Sequence, residues 1–149
     1  MPNLKYEDIV RQYYEKATEG DVAAIEELLH PNFVLYSPIS NEPIRGIERF
    51  KAMIAEYKGA TPFKVHVDEI TEDGDTAVVR WRAPFKHTGQ LWDKPPTGKQ
   101  GEISGSDRIK ISEGKIIEVR NNVDLAAALQ QVGLSLGALP SGPDLTGHL

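Results

Sequence analysis

The 149-residue chain has no cysteine, which removes disulfides, thiolate nucleophiles and cysteine-bound zinc together. No apolar run approaches the roughly 18 residues that a membrane span requires. There is no basic stripe either. The net charge of −5 is mild and both signs are scattered, which argues against a nucleic-acid surface. The GxSxG, P-loop and GxGxxG signatures are missing, and the four histidines do not fall at metal-ligand spacing. The opening Met1-Pro2-Asn3-Leu4-Lys5-Tyr6-Glu7 has neither the basic nor the apolar region of a signal peptide. The default expectation is therefore a cytoplasmic protein with no membrane or nucleic-acid partner. At this length one domain buries enough surface to need no metal or disulfide staple.

What is present divides into helical and strand periodicity. Tyr6, Ile9, Val10, Tyr13, Tyr14 and Ala17 recur at helical spacing, with Asn3 placed to cap the start and Gly20 to end it. Asp21 opens a shorter helix carrying Val22, Ile25, Leu28 and Leu29, which His30-Pro31 stops. Phe33 to Tyr36 reads as a short strand, followed by a loop with Pro38, Asn41, Pro43 and Gly46. Ile47, Phe50, Met53, Ile54 and Tyr57 mark a third helix, with Gly59 after its end. Strands are expected over Phe63–Thr71, Thr76–His87, Gln100–Ile111 and Ile116–Asn122, the first two joined by the turn Glu72-Asp73-Gly74-Asp75. A short helix from about Leu125 to Val132, capped by Asp124, closes the domain. The domain is expected over 1–133, with a Gly- and Pro-rich arm over 134–149. Helices first and hairpin-linked strands after them give an α+β class, a curved antiparallel sheet with the helices on one side.

Side chains of a strand alternate between faces. In the long strand Ala77, Val79, Trp81, Ala83, Phe85 and His87 form the inward set. In the next strand that set is Ile103, Gly105, Asp107, Ile109 and Ile111, and in the last it is Ile117 and Val119, which carries Asn121 with them. His87, Asp107 and Asn121 thus share an otherwise apolar face. A carboxylate there costs several kcal/mol unless it is paired or hydrogen-bonded. Asp107 is therefore either a general base beside a cavity, its pKa raised by burial, or a structural partner for a buried Tyr, Trp or backbone group. Asn121 either orients a ligand carbonyl or holds the turn into the last helix. His87 stands at the strand end as a candidate acid at the cavity mouth. Tyr36 and Trp81 are inward candidates with polar handles, and His66 is expected outside, while His30 is placed at a helix end.

Several stretches together resemble the SnoaL-like polyketide cyclases, or ester cyclases: His87-Thr88-Gly89, Pro95-Pro96-Thr97-Gly98-Lys99, Glu113-Gly114-Lys115-Ile116-Ile117-Glu118, Val123-Asp124-Leu125 and Leu129-Gln130-Gln131-Val132-Gly133. The likeness runs from about Tyr6 to Gly133. It implies the cone-shaped α+β barrel that ketosteroid isomerase, nuclear transport factor and limonene epoxide hydrolase also have. It implies ring closure by intramolecular aldol chemistry without a cofactor, on a small, apolar, carbonyl-bearing, polyketide-like molecule. The family's catalytic aspartate position in the last strand holds Asn121 here, within Arg120-Asn121-Asn122-Val123-Asp124, and its neighbouring histidine position holds Asp107. The acid is thus expected on the adjacent strand. In this reading Asp107 removes a proton, Asn121 and Tyr36 hydrogen-bond the enolate oxygen, and His87 is the acid. Trp81, Phe85, Ile109 and Val119 form the substrate wall. The competing reading is a binding or dimerisation module of the same fold, with epoxide hydrolysis a third option. The resemblance also implies a homodimer formed through the outer sheet face.

Overall fold

The computed structural model describes residues 5–134, so the expected Asn3 cap and residues 135–149 of the arm lie outside the described residues. Helix α1 (Glu7–Gln12) runs without a break into a π-helical turn, Tyr13–Ala17. The Glu72 carboxylate accepts the backbone N–H groups of Lys5 and Tyr6 ahead of it. Gly20 leaves the helix with φ 89°, and the Asp21 side chain accepts the Ala24 N–H to start α2 (Val22–Leu28). Strand β1 (Leu29–Tyr36) follows at once, earlier than expected. His30 therefore lies in a strand, where its Nδ1 accepts the Asn32 N–H, and caps no helix. The expected loop contains a two-residue strand, β2 (Ile44–Arg45), before α3 (Ile47–Ala60), which continues through Gly59. Then come β3 (His66–Asp73), β4 (Thr76–Lys86), β5 (Gln100–Ser112), β6 (Lys115–Val123) and α4 (Leu125–Gln131), whose cap is Asp124, accepting from Ala127.

The strands make one open sheet in the order β2-β1-β6-β5-β4-β3. All neighbours are antiparallel except β1 and β6, which run parallel because the first strand returns beside the last. Along β4 and β5 the expected parity holds: Val79 faces Asp107, Trp81 faces Gly105 and Phe85 faces Gly101. The two glycines have a packing reason. A Cβ on Gly105 would come within 2.9 Å of the Trp81 ring, and one on Gly101 within 2.9 Å of the Phe85 ring. The rings of β4 therefore lie across bare backbone of β5.

On β6 the expectation needs correction. The register shifts between Lys110 and Ile111, whose partners are Glu118 and Ile116. Ile117 is the extra residue of this bulge, so Ile116, not Ile117, joins Val119 in the core. Val22 is also exposed, not part of the apolar face of its helix.

The helices cover one face of the sheet, and the core lies between. The outer face carries Arg80 and Arg82, which pair with Glu69 and Asp68 of the neighbouring strand. No helix among the described residues is long and apolar enough to cross a membrane.

Candidate active site

A cavity of about 210 Å³ opens between the helices and the sheet. Tyr13, Tyr14, Tyr57, Trp81, Phe85 and Ile103 form much of its wall, and α4 contributes Leu125 and Leu129. Asp107 is the one charged side chain in the lining; no lysine, arginine or histidine reaches it among the described residues.

Asp107 is 4% exposed. Its Oδ2 accepts the Tyr14 hydroxyl at 2.6 Å and its Oδ1 accepts the Asn121 amide at 2.7 Å. Asn121 in turn accepts the Ser37 hydroxyl on its Oδ1 at 2.8 Å. Burial raises the Asp107 pKa, and the bonds from Tyr14 and Asn121 oppose that rise only in part. The Trp81 indole N–H is near enough to oppose it as well, yet it forms no hydrogen bond of acceptable geometry. The two effects are compatible: an N–H dipole favours a nearby carboxylate charge without the alignment of a hydrogen bond. The Tyr14 and Tyr13 phenols are pushed up, first by burial and then by the negative charge of Asp107, so both stay protonated and act as donors.

The π-helical turn is what brings two successive tyrosines to the cavity. Their rings meet edge to face at 4.9 Å. Tyr14 is committed to Asp107, whereas the Tyr13 hydroxyl has no hydrogen-bond partner among the described residues. Such turns occur disproportionately at functional sites.

Of the residues singled out in the sequence, Asp107, Asn121, Trp81 and Phe85 meet at the cavity. Four others do not. Tyr36 follows Leu35 on β1 and takes the opposite face, where the Arg120 guanidinium stacks 4.2 Å from its ring centre. Ile109 and Val119 face inward, but they are packed in the solid core and line no part of the cavity. His87 is wholly buried and away from the cavity. Its Nδ1 accepts the Thr97 N–H at 3.2 Å, and its own backbone pairs with Gly98 and Lys99. It closes the base of the 88–98 loop and touches no cavity space.

That loop supplies wall residues the sequence reading missed, Leu91 and Trp92. Trp92 takes a left-handed backbone (φ 52°) in a tight turn, and its indole N–H donates to the Tyr57 hydroxyl at 3.2 Å. Tyr13, Tyr14 and Ser37 were missed as site residues too. The available signal was a polar face without partners: an acid and an amide on an apolar strand face require donors from the helix that covers them.

An open, curled α+β sheet covered by helices on one face is the cone-shaped fold of the ketosteroid isomerase-like kind. The SnoaL-like polyketide cyclase family model matches residues 7–132, and the chain belongs to that family. It is 27% identical over 129 residues to the aklanonic acid methyl ester cyclase DnrD of Streptomyces peucetius, covering 85% of this chain and 89% of that protein. The cyclase DauD of Streptomyces sp. strain C5 is 26% identical over 129 residues, with 85% and 80% covered. Among solved structures, TsrD of Streptomyces laurentii superposes with a TM-score of 0.76 at 22% identity, covering 89% of this chain and 98% of that one. A protein from Catenulispora acidiphila with a ketosteroid isomerase-like fold, bound to trimethylamine, superposes at 0.75 with 14% identity, covering 89% and 98%. These two likenesses are of fold alone.

Proposed function

We propose that the protein catalyses cofactor-independent intramolecular aldol cyclisation of an uncharged polyketide-like ester, with Asp107 as the base. The observation that carries this reading is a buried carboxylate, held by Tyr14 and Asn121, on the wall of an otherwise apolar cavity. Tyr14 holds one carboxylate oxygen and Asn121 the other, and the proton goes to a lone pair that these bonds do not use. Asp107 removes a proton from a carbon flanked by a ketone and an ester, the carbonyl becomes an enolate, and the carbanionic carbon attacks a second carbonyl of the same molecule. The new alkoxide then recovers the proton from Asp107, so the base is regenerated and no atom is lost. A raised pKa suits this exchange, because it brings base and acid strength closer to the pH of use.

The lining favours an esterified substrate. A free carboxylate would enter beside Asp107 with no cation to receive it. The names of DnrD and DauD, each a methyl ester cyclase, agree with that preference. Asn121 stands where the family places its acid, and an amide cannot carry a proton; its part is to hold Asp107. Tyr36 and His87 have no part in the step, since neither reaches the cavity.

The test needs no native substrate. A bicyclic β-keto methyl ester built on tetralone exchanges its acidic C–H in D2O, and NMR follows the exchange. The protein should accelerate it, and Asp107→Asn should lose about a hundredfold or more of that acceleration. Folding should survive, because the new amide pairs with Asn121 once the latter turns its oxygen inward and its NH2 toward Ser37. Equal rates in the two proteins would return Asp107 to a structural role and leave a binding module as the better account.

A further inference from the structure

Most polar groups in the cavity are satisfied. Tyr14 donates to Asp107, Ser37 to Asn121, and Trp92 to Tyr57. Trp81 is the exception that counts: its residue is 8% exposed, and its Nε1 is buried without a partner. A buried donor left unpaired costs free energy, so native structures rarely keep one without a reason. The indole is also held in place. It lies across Gly105, where the Cβ of any other residue would come within 2.9 Å of its ring, and it packs against Tyr14 at 6.5 Å between ring centres.

We infer that the Trp81 indole N–H is the donor that receives a ligand carbonyl oxygen, and that Gly105 is the positioning residue that keeps the indole turned toward it. An oxygen bound there sets the adjoining carbon beside Asp107, on the strand next to Trp81. The same bond strengthens when that oxygen becomes an enolate, because its charge grows while the donor stays fixed. The inference rests on the cavity being the ligand site, as proposed above, but not on Asp107 acting as a base.

Tetralone and tetralin differ chiefly in one carbonyl, so together they isolate the donor. Titration calorimetry on Trp81→Phe should show tetralone weakened about fivefold and tetralin by less than about twofold. Gly105→Ala keeps the N–H but crowds both the ring, at 2.9 Å, and the Asn122 carbonyl oxygen, at 2.6 Å, and should still weaken tetralone more than tetralin. In the wild type the bound tetralone carbonyl stretch should lie at lower frequency than that of tetralone in a hydrocarbon solvent. The inference fails if both ligands weaken alike, if neither weakens, or if the wild-type stretch stays unshifted; that last measurement needs no variant to fold. Loss of exchange in Asp107→Asn together with an unshifted stretch would keep the cyclase reading and discard the donor. The reverse pattern would keep the donor and discard the base.

Discussion

The inward faces of β4, β5 and β6 are packed solid at one end and hollow at the other. Near the β3–β4 turn, Ala77, Val79, Ile109, Ile116 and Val119 are sealed in the core at no more than 1% exposure. Further along the same rows, Ala83, Phe85, Ile103 and Val123 line the cavity. Asp107 and Asn121, paired across β5 and β6, mark the border between the two ends. One alternation of side chains therefore serves two purposes. The packed end is stabilised by close contact; the hollow end leaves that contact to a ligand. The acid sits where the carboxylate is dry enough to be a stronger base yet still open to the cavity.

Matched truncations test that contrast. Ile109→Ala should cost about 2–5 kcal/mol in urea unfolding, since its neighbours are closely packed and cannot fill the hole. A loss below about 1 kcal/mol would mean that the packed end is as loose as the hollow one. Tyr14→Phe comes next, at about 1–3 kcal/mol, because Asp107 Oδ2 loses its donor. Its sharper readout is pH. The lost bond favours the carboxylate, so its removal raises the Asp107 pKa further, and the rising acid limb of the exchange rate should move to higher pH. An unmoved limb would mean that Asp107 is not the titrating group. The smallest effect should come from Ile103→Ala at the hollow end. Stability should fall by less than about half of the Ile109→Ala loss, while tetralin affinity drops.

Much of the fold was legible in the sequence, and the reason is periodicity. The apolar repeats of α1 and α3, the Asp21 and Asp124 caps and the alternation along β4 and β5 all translate directly into burial. So did the acid on an apolar face, because Asp107 breaks an otherwise clean pattern. The errors have equally physical causes. Parity sorts side chains by face but does not tell core from cavity, which is why Ile109 and Val119 have the inward parity and still line no cavity. Parity also assumes an unbroken register, and the bulge at Ile117 breaks it. Tyr36 carries a hydroxyl suited to a pocket, but Leu35 beside it takes the inward face of the strand. His87 has the inward parity, but the 88–98 loop that folds over it has no period to read. Tyr13 and Tyr14 were seen as an apolar helix face, and their hydroxyls matter only once the sheet opposite is known.

The π-helical turn has a consequence for how this segment tolerates change. A helix that closes one turn with an additional residue is out of phase, downstream, by about 100° relative to an unbroken α-helix. Val10 before the turn and Ala17 at its end both stay buried across that slip, with the two tyrosines presented between them. The segment works like a screw with one skipped thread. Deleting a single residue within 13–17 would restore the thread and leave both ends of the helix facing as they do now. What would go is the second tyrosine, because a regular turn has no room to present two successive side chains to the cavity. Substitutions in this stretch trade one side chain for another, but a change of length by one residue changes which side chain faces the acid.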